Sequence, residues 1–308
     1  TNDNRTMNKI LVIGSTNIDM IACVKHLPRP GETVGEARFM QSNGGKGANQ
    51  AVAAARLGGD VAFVTCLGDA ASAVALRQQF TADGSNTEAR FTAKDTPTGT
   101  ALSSVSQDGE NCIAVAPGAN HSLTREAIDA VADRIAGAEY LLVQLEIPME
   151  TVAYAIEKAY EAGTRVVLNP APAMPLPDEL LRKVYLITPN RTESETLTGS
   201  PVHTAQDASK AAAALLAKGV GNVIVTLGSE GALIRTPNGE QLIPARTVTP
   251  VDTTAAGDVF NGALLVGLSE GSSLADAVQF ASRSASVSVT RMGAQASIPW
   301  REELETLA

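Results

Sequence analysis

Short runs of apolar residues recur along the 308-residue chain, and most are continuous rather than alternating with polar positions. Such runs are typical of strands buried on both faces, as in a parallel sheet covered on each side. The runs that carry this pattern are KILVIGS from Lys9, VAFVTCLG from Val61, YLLVQLE from Tyr140, RVVLNP from Arg165, VYLITPN from Val184 and NVIVTLG from Asn222.

Ala-rich segments with helical spacing lie between these runs, and several end in Gly, a common residue after the last helical turn. Alternation of strand and helix favours right-handed crossovers. It predicts an α/β fold with a mostly parallel, Rossmann-like central sheet and helices on both faces. The helical segments are GANQAVAAARLGG from Gly47, TREAIDAVADRIAG from Thr124, METVAYAIEKAYEAG from Met149 and AQDASKAAAALLAKG from Ala205.

Two segments, 17–43 and 88–116, instead carry short alternating strands, which predict a small antiparallel sheet outside the main one. Both follow early strands of the parallel sheet, so they would lie over strand ends, where α/β proteins bind ligands. We interpret them as a lid. Residues 1–16, 44–87 and 117–308 are then assigned to the α/β domain.

The formal net charge of −9 argues against a nucleic-acid-binding protein, which would carry a basic face. The polar start TNDNRTMNK and the absence of a long apolar run lead us to expect neither a secretion signal nor a membrane span. We therefore expect a soluble, cytoplasmic protein. Cys23, Cys66 and Cys112 are widely spaced without a CxxC pair, so reduced, buried thiols are expected rather than disulfides or a zinc site.

The segment NGGKGANQA, from Asn43 to Ala51, is similar to a phosphate-binding loop but fits neither common kind. Gly47 follows Lys46 where a Walker A loop has Ser or Thr, and Gln50 stands where a dinucleotide fingerprint has its third glycine. Its glycines would let the backbone and Lys46 approach a small polar ligand at the start of a helix. An ordinary glycine-rich helix start remains the alternative.

Polar residues at two further places could bind a sugar and an anion. Asn17 and Asp19 follow the first strand, and an amide with a carboxylate can bind vicinal hydroxyls, although both residues also favour turns. In AAGDVFNGALLVGL, the first helical turn contains Ala256, Gly257 and Asp258, whose unpaired amides could hold a phosphoryl group. An acid at that position is also a common capping residue.

Together the fragments resemble the ribokinase-like sugar kinase family in order and spacing along almost the entire chain. The Gly-Gly-Lys-Gly-Ala-Asn segment and the Ala-Ala-Gly-Asp turn are highly specific to that family. The resemblance implies a ribokinase-like fold and transfer of the γ-phosphoryl group of ATP to the 5-hydroxyl of D-ribose, giving ribose 5-phosphate. The matching fragments are GSTNID, NGGKGANQAVAAARLG, QLEIP, LNPAPA, TPNRTESETLTG, VTLGSEGAL, VDTTAAGDVFNGAL and VTRMGAQASIPW.

The resemblance further implies that Asp258 is the catalytic base and that the amides of Ala255, Ala256 and Gly257 form an anion hole. It implies sugar contacts from the first strand, the Gly-rich loop and the end of YLLVQLE. The implied sugar-binding residues are Asn17, Ile18, Asp19, Gly45, Lys46, Gly47, Ala48, Asn49, Glu146 and Asp258.

On the nucleotide side, the resemblance implies that an Asn-x-x-Glu arrangement organises phosphate and Mg²⁺ through water. Arg191 stands where relatives commonly have an acid, and we expect this charge to alter nucleotide affinity at most and to leave the assigned roles unchanged. The implied nucleotide-binding residues are Asn190, Glu193, Thr226, Leu227, Gly228, Ser229, Glu230, Gly231, Gly257, Asp258 and Ser282.

A monovalent-cation site is also implied, in which carbonyl oxygens and one carboxylate suit K⁺ better than Mg²⁺. The implied ligands are Asp252, Thr254, Ser288, Arg291, Gly293 and Ser297.

Alternatives within the same family are kinases for another small sugar or a nucleoside, such as 2-deoxyribose or adenosine. A catalytically inactive sugar-binding protein on the same fold is a further alternative, because fold does not guarantee activity. The expected partners are the sugar, ATP and a second copy of the chain, paired through the lids. Neither nucleic acid nor membrane is an expected partner.

Overall fold

A computed structural model describes residues 8–108 and 110–306 of the chain. Its strands form one large sheet, one four-stranded sheet and one two-stranded sheet. The strands are β1 (Ile10–Ile13), β2 (Asn17–Val24), β3 (Arg38–Gly44), β4 (Val61–Val64), β5 (Cys66–Gly68), β6 (Phe91–Ala93), β7 (Gly99–Ser106), β8 (Asn111–Ala116), β9 (Tyr140–Val143), β10 (Arg165–Leu168), β11 (Leu186–Ile187), β12 (Asn222–Thr226), β13 (Ala232–Thr236) and β14 (Gly239–Ile243).

The helices lie mostly between strands of the large sheet, and 3₁₀ turns occur at Gly118–Ser122, Gly228–Glu230 and Gln295–Ser297. The α-helices are α1 (Lys46–Arg56), α2 (Ala71–Ala82), α3 (Arg125–Asp129), α4 (Ala132–Gly137), α5 (Met149–Ala162), α6 (Asp178–Leu181), α7 (Arg191–Thr198), α8 (Ala205–Ala217), α9 (Ala256–Ser269), α10 (Leu274–Ser288) and α11 (Arg301–Thr306).

The large sheet has the order β14-β13-β12-β11-β10-β9-β1-β4. Neighbours from β4 to β12 are parallel, and β13 and β14 add antiparallel strands at one edge. In β1, Leu11 and Ile13 join the core that includes α5 and α8. Ile10 and Val12 join the opposite core, with α1 and α9. The predicted mostly parallel sheet is confirmed, and burial on both faces explains the continuous apolar runs.

The helical segment from Thr124 forms two short helices, α3 and α4, rather than one. Val131 between them leaves helical geometry, with φ −116° and ψ 14°. Its side chain is buried together with Ile128 and Ile135. All three side chains belong to the same core, at the i, i+3, i+7 spacing of one helical face, so the interruption leaves the apolar face of the segment intact.

The four-stranded sheet, which we call the lid sheet, has the order β3-β2-β7-β8 and is separate from the large sheet. It is mixed rather than antiparallel, because its central pair β2 and β7 is parallel, with Asn17 opposite Gly99 and Val24 opposite Ser106. In the chain, β2 comes directly after β1 of the large sheet, whereas β7 comes after β6. Within 88–116, β6 pairs with β5 instead of joining the lid sheet.

The three cysteines are unpaired, but only Cys66 is buried as expected. Cys23 is half-buried and Cys112 is exposed, because both lie on lid-sheet strands without a helical layer above them. In the described ranges, no helix is long and apolar enough to cross a membrane.

Two close glycine contacts fix the position of α1. A Cβ atom added at Gly47 would lie 2.5 Å from the Ser15 nitrogen, so the start of α1 rests directly on the end of β1. A Cβ atom added at Gly262 would lie 2.7 Å from Ala53 Cβ and from the Gln50 carbonyl oxygen, so α9 touches the backbone of α1. Side chains from the beginnings of α1 and α9 are thereby held close together.

We expect Gly262→Ala to destabilise the protein by about 1–3 kcal/mol, because the added methyl group must push α9 away from α1. Urea denaturation of the sugar-free protein measures this change. Gly35→Ala is the control, since an added Cβ there meets no other described atom within 4 Å. Equal unfolding midpoints for both variants would contradict the close helix contact.

Candidate active site

Asp258 lies in the first turn of α9, and its side chain is only 7% exposed. Ala255 precedes the helix in the left-handed region, with φ 61° and ψ 7°. A non-glycine residue in this conformation carries strain on the order of 1 kcal/mol or more, which is typical of functional turns. The Val259 N–H donates to the Ala255 carbonyl at 2.9 Å, so the amides before Val259 point out of the helix.

The anion-hole turn predicted at 255–257 borders open space on one side. A Cβ atom added at Gly257 would meet no other described atom within 4 Å. Ala256 differs, because its N–H already donates to the Thr253 carbonyl at 3.2 Å. The turn therefore exposes backbone donors beside Asp258, and one of the three must exchange its partner to hold an anion.

Several predicted sugar-binding residues converge near Asp258. The Asn49 side chain donates from Nδ2 to Asp258 Oδ2 at 2.9 Å. Glu146 Oε2 accepts from the Lys46 N–H at 2.9 Å and from the Ser15 hydroxyl at 2.6 Å. One oxygen of Glu146 is thus anchored to the Gly-rich segment, and the other can receive a ligand hydroxyl.

The start of β2 forms another wall of the site. Asn17 is buried and accepts at Oδ1 from Asn120 Nδ2 at 2.8 Å. Gly45 has φ 90°, and a Cβ atom there would lie 2.7 Å from the Asn17 nitrogen, so this position requires glycine. A Cβ atom at Gly44 would overlap the carboxylate of Asp19, which therefore lies directly over the Gly-rich segment.

Two predicted contacts, Ile18 and Ala48, are core residues with 6% and 0% exposure. The Ala48 N–H donates to the Ser15 carbonyl at 2.8 Å, as part of the contact between α1 and β1. Their side chains shape the floor of the site.

Burial and mutual repulsion affect the acids of the site. Burial, followed by the charges of Glu146 and Asp258, raises the pKa of Asp19 to about 6. Burial also raises the pKa of Asp258, while Lys46 and the hydrogen bond from Asn49 oppose this increase. Each ionised carboxylate disfavours ionisation of the others nearby. A bound cation or a hydroxyl-rich ligand would reduce this repulsion.

The positive charge of Lys46 partly compensates the negative charges of these acids. Burial opposes its charged form, but Asp258, Glu146 and Glu193 together raise the pKa of Lys46. Burial likewise raises the pKa of Glu193, and Lys46 opposes that increase. These interactions connect the sugar side of the site with Glu193 on the nucleotide side.

Asn190 and Glu193 form a capping box at the start of α7. Glu193 Oε2 accepts from the Asn190 N–H at 2.8 Å, and Asn190 Oδ1 accepts from the Glu193 N–H at 2.8 Å. Helix capping accounts for this pair locally. Glu193 is also buried, and its carboxylate interacts electrostatically with Lys46 and Asp258, which capping alone does not require.

The predicted nucleotide segments lie side by side, since Asn190 and Thr226 form a parallel bridge. Leu227 is buried, whereas Gly228, Ser229 and Glu230 form an exposed 3₁₀ turn. The Leu227 N–H donates to the Gly231 carbonyl at 2.8 Å across this turn. Ser282 is half-buried on α10, which packs against β13 and β14.

The guanidinium group of Arg191 donates to Glu230 Oε1 at 2.5 Å. Glu230 belongs to the predicted nucleotide segment. Arg191 therefore ties the start of α7 to that segment.

Asp252 joins two of the segments predicted to hold a monovalent cation. Its Oδ1 accepts from the Thr254 N–H at 2.9 Å, and its Oδ2 accepts from the Gly293 N–H at 2.8 Å. Partial burial opposes the effect, but these hydrogen bonds hold the pKa of Asp252 below its ordinary value. The Asp252 N–H also donates to the Val289 carbonyl at 3.1 Å, next to Ser288.

The hydroxyls of Ser288 and Ser297 donate to the carbonyls of Ala285 and Ala294, at 2.9 and 2.7 Å. The Arg291 N–H donates to the Ser288 carbonyl at 3.0 Å. Across residues 8–108 and 110–306, no group of three or more His, Cys, Asp and Glu side chains could hold a metal ion. A carbonyl-based cation site is not of that kind.

Sequence reasoning missed a set of buried amide side chains behind Asp258. Gln50 donates to Asp258, Gln144 donates to Gln50, and Gln295 donates to Asn49. From the sequence, Gln50 is notable only because it stands where a dinucleotide fingerprint has its third glycine. The available signal was its position directly after Asn49 near the start of a helix, where both side chains donate to Asp258.

Comparisons with known proteins cover almost the whole chain. A family model of pfkB family carbohydrate kinases matches residues 7–301. A ribokinase of Haemophilus influenzae is 42% identical over 298 residues, which cover 96% of this chain and 97% of that protein. The crystal structure of a ribokinase from Thermotoga maritima has a TM-score of 0.89 and 40% identity, covering 97% of this chain and 98% of that one.

A structure of Arabidopsis thaliana ribokinase complexed with ribose and ATP has a TM-score of 0.91 and 31% identity. It covers 98% of this chain and 99% of that chain.

We expect Asp19→Asn to stabilise the sugar-free protein at neutral pH and not at about pH 4. Burial raises the folded-state pKa of Asp19 from 3.8 to about 6, so ionisation destabilises the folded state as the pH rises through that interval. The substitution removes this effect, so the gain in Tm should be largest above about pH 6. Thermal unfolding at several pH values measures it, and a gain independent of pH would contradict the burial of this charge.

Proposed function

Because the chain belongs to the pfkB family of carbohydrate kinases, we propose that it phosphorylates D-ribose at O5 with ATP, giving ribose 5-phosphate. The observation that carries this proposal is the pairing of a buried Asp258 with the outward-pointing amides of the turn before α9. An acceptor hydroxyl beside Asp258 and a phosphoryl group over Gly257 would be adjacent. That arrangement suits in-line transfer.

In the proposed reaction, Asp258 orients the 5-hydroxyl and accepts its proton as the oxygen bonds to phosphorus. A positioned general base typically contributes ~10² to 10⁴ in rate. The amides of Ala255, Ala256 and Gly257 would stabilise the charge on the moving phosphoryl group. Lys46 stabilises the ionised form of Asp258 in the free protein.

Sugar binding is assigned to the residues around the Gly-rich segment. Asn17 and Asp19 would bind vicinal hydroxyls from the lid side, and the free oxygen of Glu146 would accept from a further hydroxyl. Asn49 would donate to a sugar oxygen once the substrate takes its place at Asp258. The side chains of Asn17 and Asn49 are buried and held by hydrogen bonds to Asn120 and Asp258. This supports the assignment, because a fixed amide group selects hydroxyls by geometry.

The nucleotide would lie along the segment from Thr226 to Gly231 and over Asn190 and Glu193. The exposed 3₁₀ turn beside α7 supports this placement. Each Glu193 oxygen accepts one hydrogen bond from Asn190 and keeps a further lone pair, which suits a hydrogen bond from a water molecule bound to Mg²⁺. When bound, Mg²⁺ would neutralise phosphate charge.

A monovalent cation would be held by the carboxylate and carbonyl of Asp252, by the Ser297 hydroxyl and by the carbonyl oxygens of the other implied ligands. The lowered pKa of Asp252 keeps its carboxylate ionised. The hydrogen bond from the Gly293 N–H to Asp252 brings together the two chain segments that contain the implied ligands. When bound, K⁺ would supply positive charge next to the strained turn. Asp252 and Thr254 would thereby fix the anion-hole amides.

We further propose a homodimer paired through the lid sheets and action in the cytoplasm. Both faces of the lid sheet expose large apolar side chains. By register, Ile113 and Val115 share the face of Asp19, while Phe39 and Leu102 lie on the other. Exposed apolar faces and two open edges are commonly covered by a partner.

The test of function combines a substrate panel with Asp258→Asn. We expect ADP release with ribose to exceed that with 2-deoxyribose or adenosine in kcat/KM. Asp258→Asn should lower kcat at least ~10²-fold, while sugar binding by calorimetry stays close to wild type.

Asp276→Asn is the matched control, because Asp276 is an exposed acid in the first turn of α10. If its substitution lowered turnover equally, Asp258 would act only through its helix. Sugar binding without any ADP formation by the wild-type protein would favour a binding protein instead.

We expect turnover to rise when K⁺ replaces an organic cation in the buffer, because the cation would order the turn at 255–257. Asp252→Asn should abolish the difference, and it should also lower Tm because one of the two backbone N–H groups bound by Asp252 loses its acceptor. Initial rates with saturating ribose and ATP measure the effect. Identical rates in exhaustively K⁺-free buffer would remove the cation site from the mechanism.

A further inference from the structure

The side chain of Gln50 lies at the centre of a buried amide array behind Asp258. Gln50 Nε2 donates to Asp258 Oδ1 at 2.9 Å and to Asn169 Oδ1 at 2.9 Å. Gln144 Nε2 donates to Gln50 Oε1 at 2.6 Å. Gln50, Gln144 and Asn169 are 0%, 1% and 7% exposed, so these bonds are made without competing water.

We propose that Gln50 is a positioning residue that holds one oxygen of the catalytic carboxylate permanently, and that Gln144 and Asn169 keep the Gln50 amide in the required orientation. This inference rests on the proposed role of Asp258 as the base. It deepens that role by naming what orients the base before the sugar arrives.

The hydrogen-bond pattern determines the direction of the Gln50 amide. In the reversed orientation, Gln50 Oε1 would face the oxygens of both Asp258 and Asn169, and its NH₂ group would face the NH₂ group of Gln144. Each of these contacts is repulsive or unsatisfied in a buried site. The array therefore presents donor hydrogens, and no acceptor, to Asp258.

The two oxygens of Asp258 have partners of different kinds. Oδ2 is bound by Asn49, which borders the sugar site and is an implied sugar contact. Oδ1 is bound by Gln50, whose partners Gln144 and Asn169 follow β9 and β10 in the sheet. We expect a sugar hydroxyl to replace Asn49 at Oδ2, while Gln50 keeps its hydrogen bond to Oδ1. The carboxylate can then reorient toward the substrate with one oxygen held in place.

Four charged side chains from other elements also act on Asp258. Lys46 at the start of α1 favours its ionised form, whereas Glu146 after β9 disfavours it. Asp19 on β2 and Glu193 on α7 interact with it as further acids. The neutral donor Gln50 adds no charge to this group, so replacing it by an acid changes the balance in a known direction.

The test is the pH dependence of kcat/KM for ribose in Gln50→Glu and Gln50→Ala. In Gln50→Glu, two carboxylates meet without a donor between them, so the acidic limb should move to higher pH by about one unit or more. In Gln50→Ala, kcat should fall roughly 10- to 100-fold with little change in KM, because the base loses its orientation. NMR titration of the labelled Asp258 carboxyl, assigned by its loss in Asp258→Asn, should show the same upward shift in Gln50→Glu.

Thr151→Ala is the stability control, because the buried Thr151 hydroxyl donates to the Leu123 carbonyl at 2.7 Å on α5, away from Asp258. It should lower Tm and leave the pH profile unchanged. If Gln50→Glu lowers only Tm and moves neither the profile nor the NMR titration, the proposal is overturned. Should that variant not fold, Gln144→Ala provides the second test, and an unchanged kcat there also overturns it.

Failure of the proposed function has a different signature. A wild-type protein that releases no ADP with ribose would refute the assigned reaction, while the NMR titration still decides whether Gln50 controls Asp258.

Discussion

A carboxylate that is almost completely removed from water must be compensated, or the folded state loses several kcal/mol. Asp258 is compensated by two neutral amides and by the charge of Lys46. Because Asn49 and Gln50 lie on α1, this compensation requires α1 and α9 to touch. The glycine contact at Gly262 permits that approach, so the geometry of the site depends on packing between segments more than 200 residues apart in sequence.

The remaining parts of the site are arranged around this pair. Glu146 follows β9, Asn169 follows β10 and Asn190 follows β11, all at the same edge of the parallel strands. Strand ends of a doubly covered sheet are natural positions for polar side chains, because the helices leave that edge open. After burial, the charges of Glu146 and Asp258 raise the pKa of Asp19, whereas Lys46 opposes the raised pKa values of Asp258 and Glu193.

The sequence predicted the central sheet well because strands buried on both faces cannot alternate, and their apolar runs are visible without any tertiary information. It did not predict the parallel pairing of β2 with β7, because the direction of two strands about 80 residues apart depends on where each leaves the sheet. Asn190 and Glu193 were recognised by motif, yet their capping box became visible only in three dimensions. Gln50 and Gln144 were missed for a similar reason, since the partner of a buried amide is determined by packing.

The hydrogen-bonded ladder of β2 begins at Asn17, passes Asp19 two residues later and ends at Val24 far out in the lid sheet. If Asp19 binds the acceptor as proposed, recognition of the acceptor and covering of the site would be properties of one strand. An acceptor that does not engage that carboxylate would then leave the same strand, and the sheet it belongs to, without a ligand contact over the phosphoryl donor.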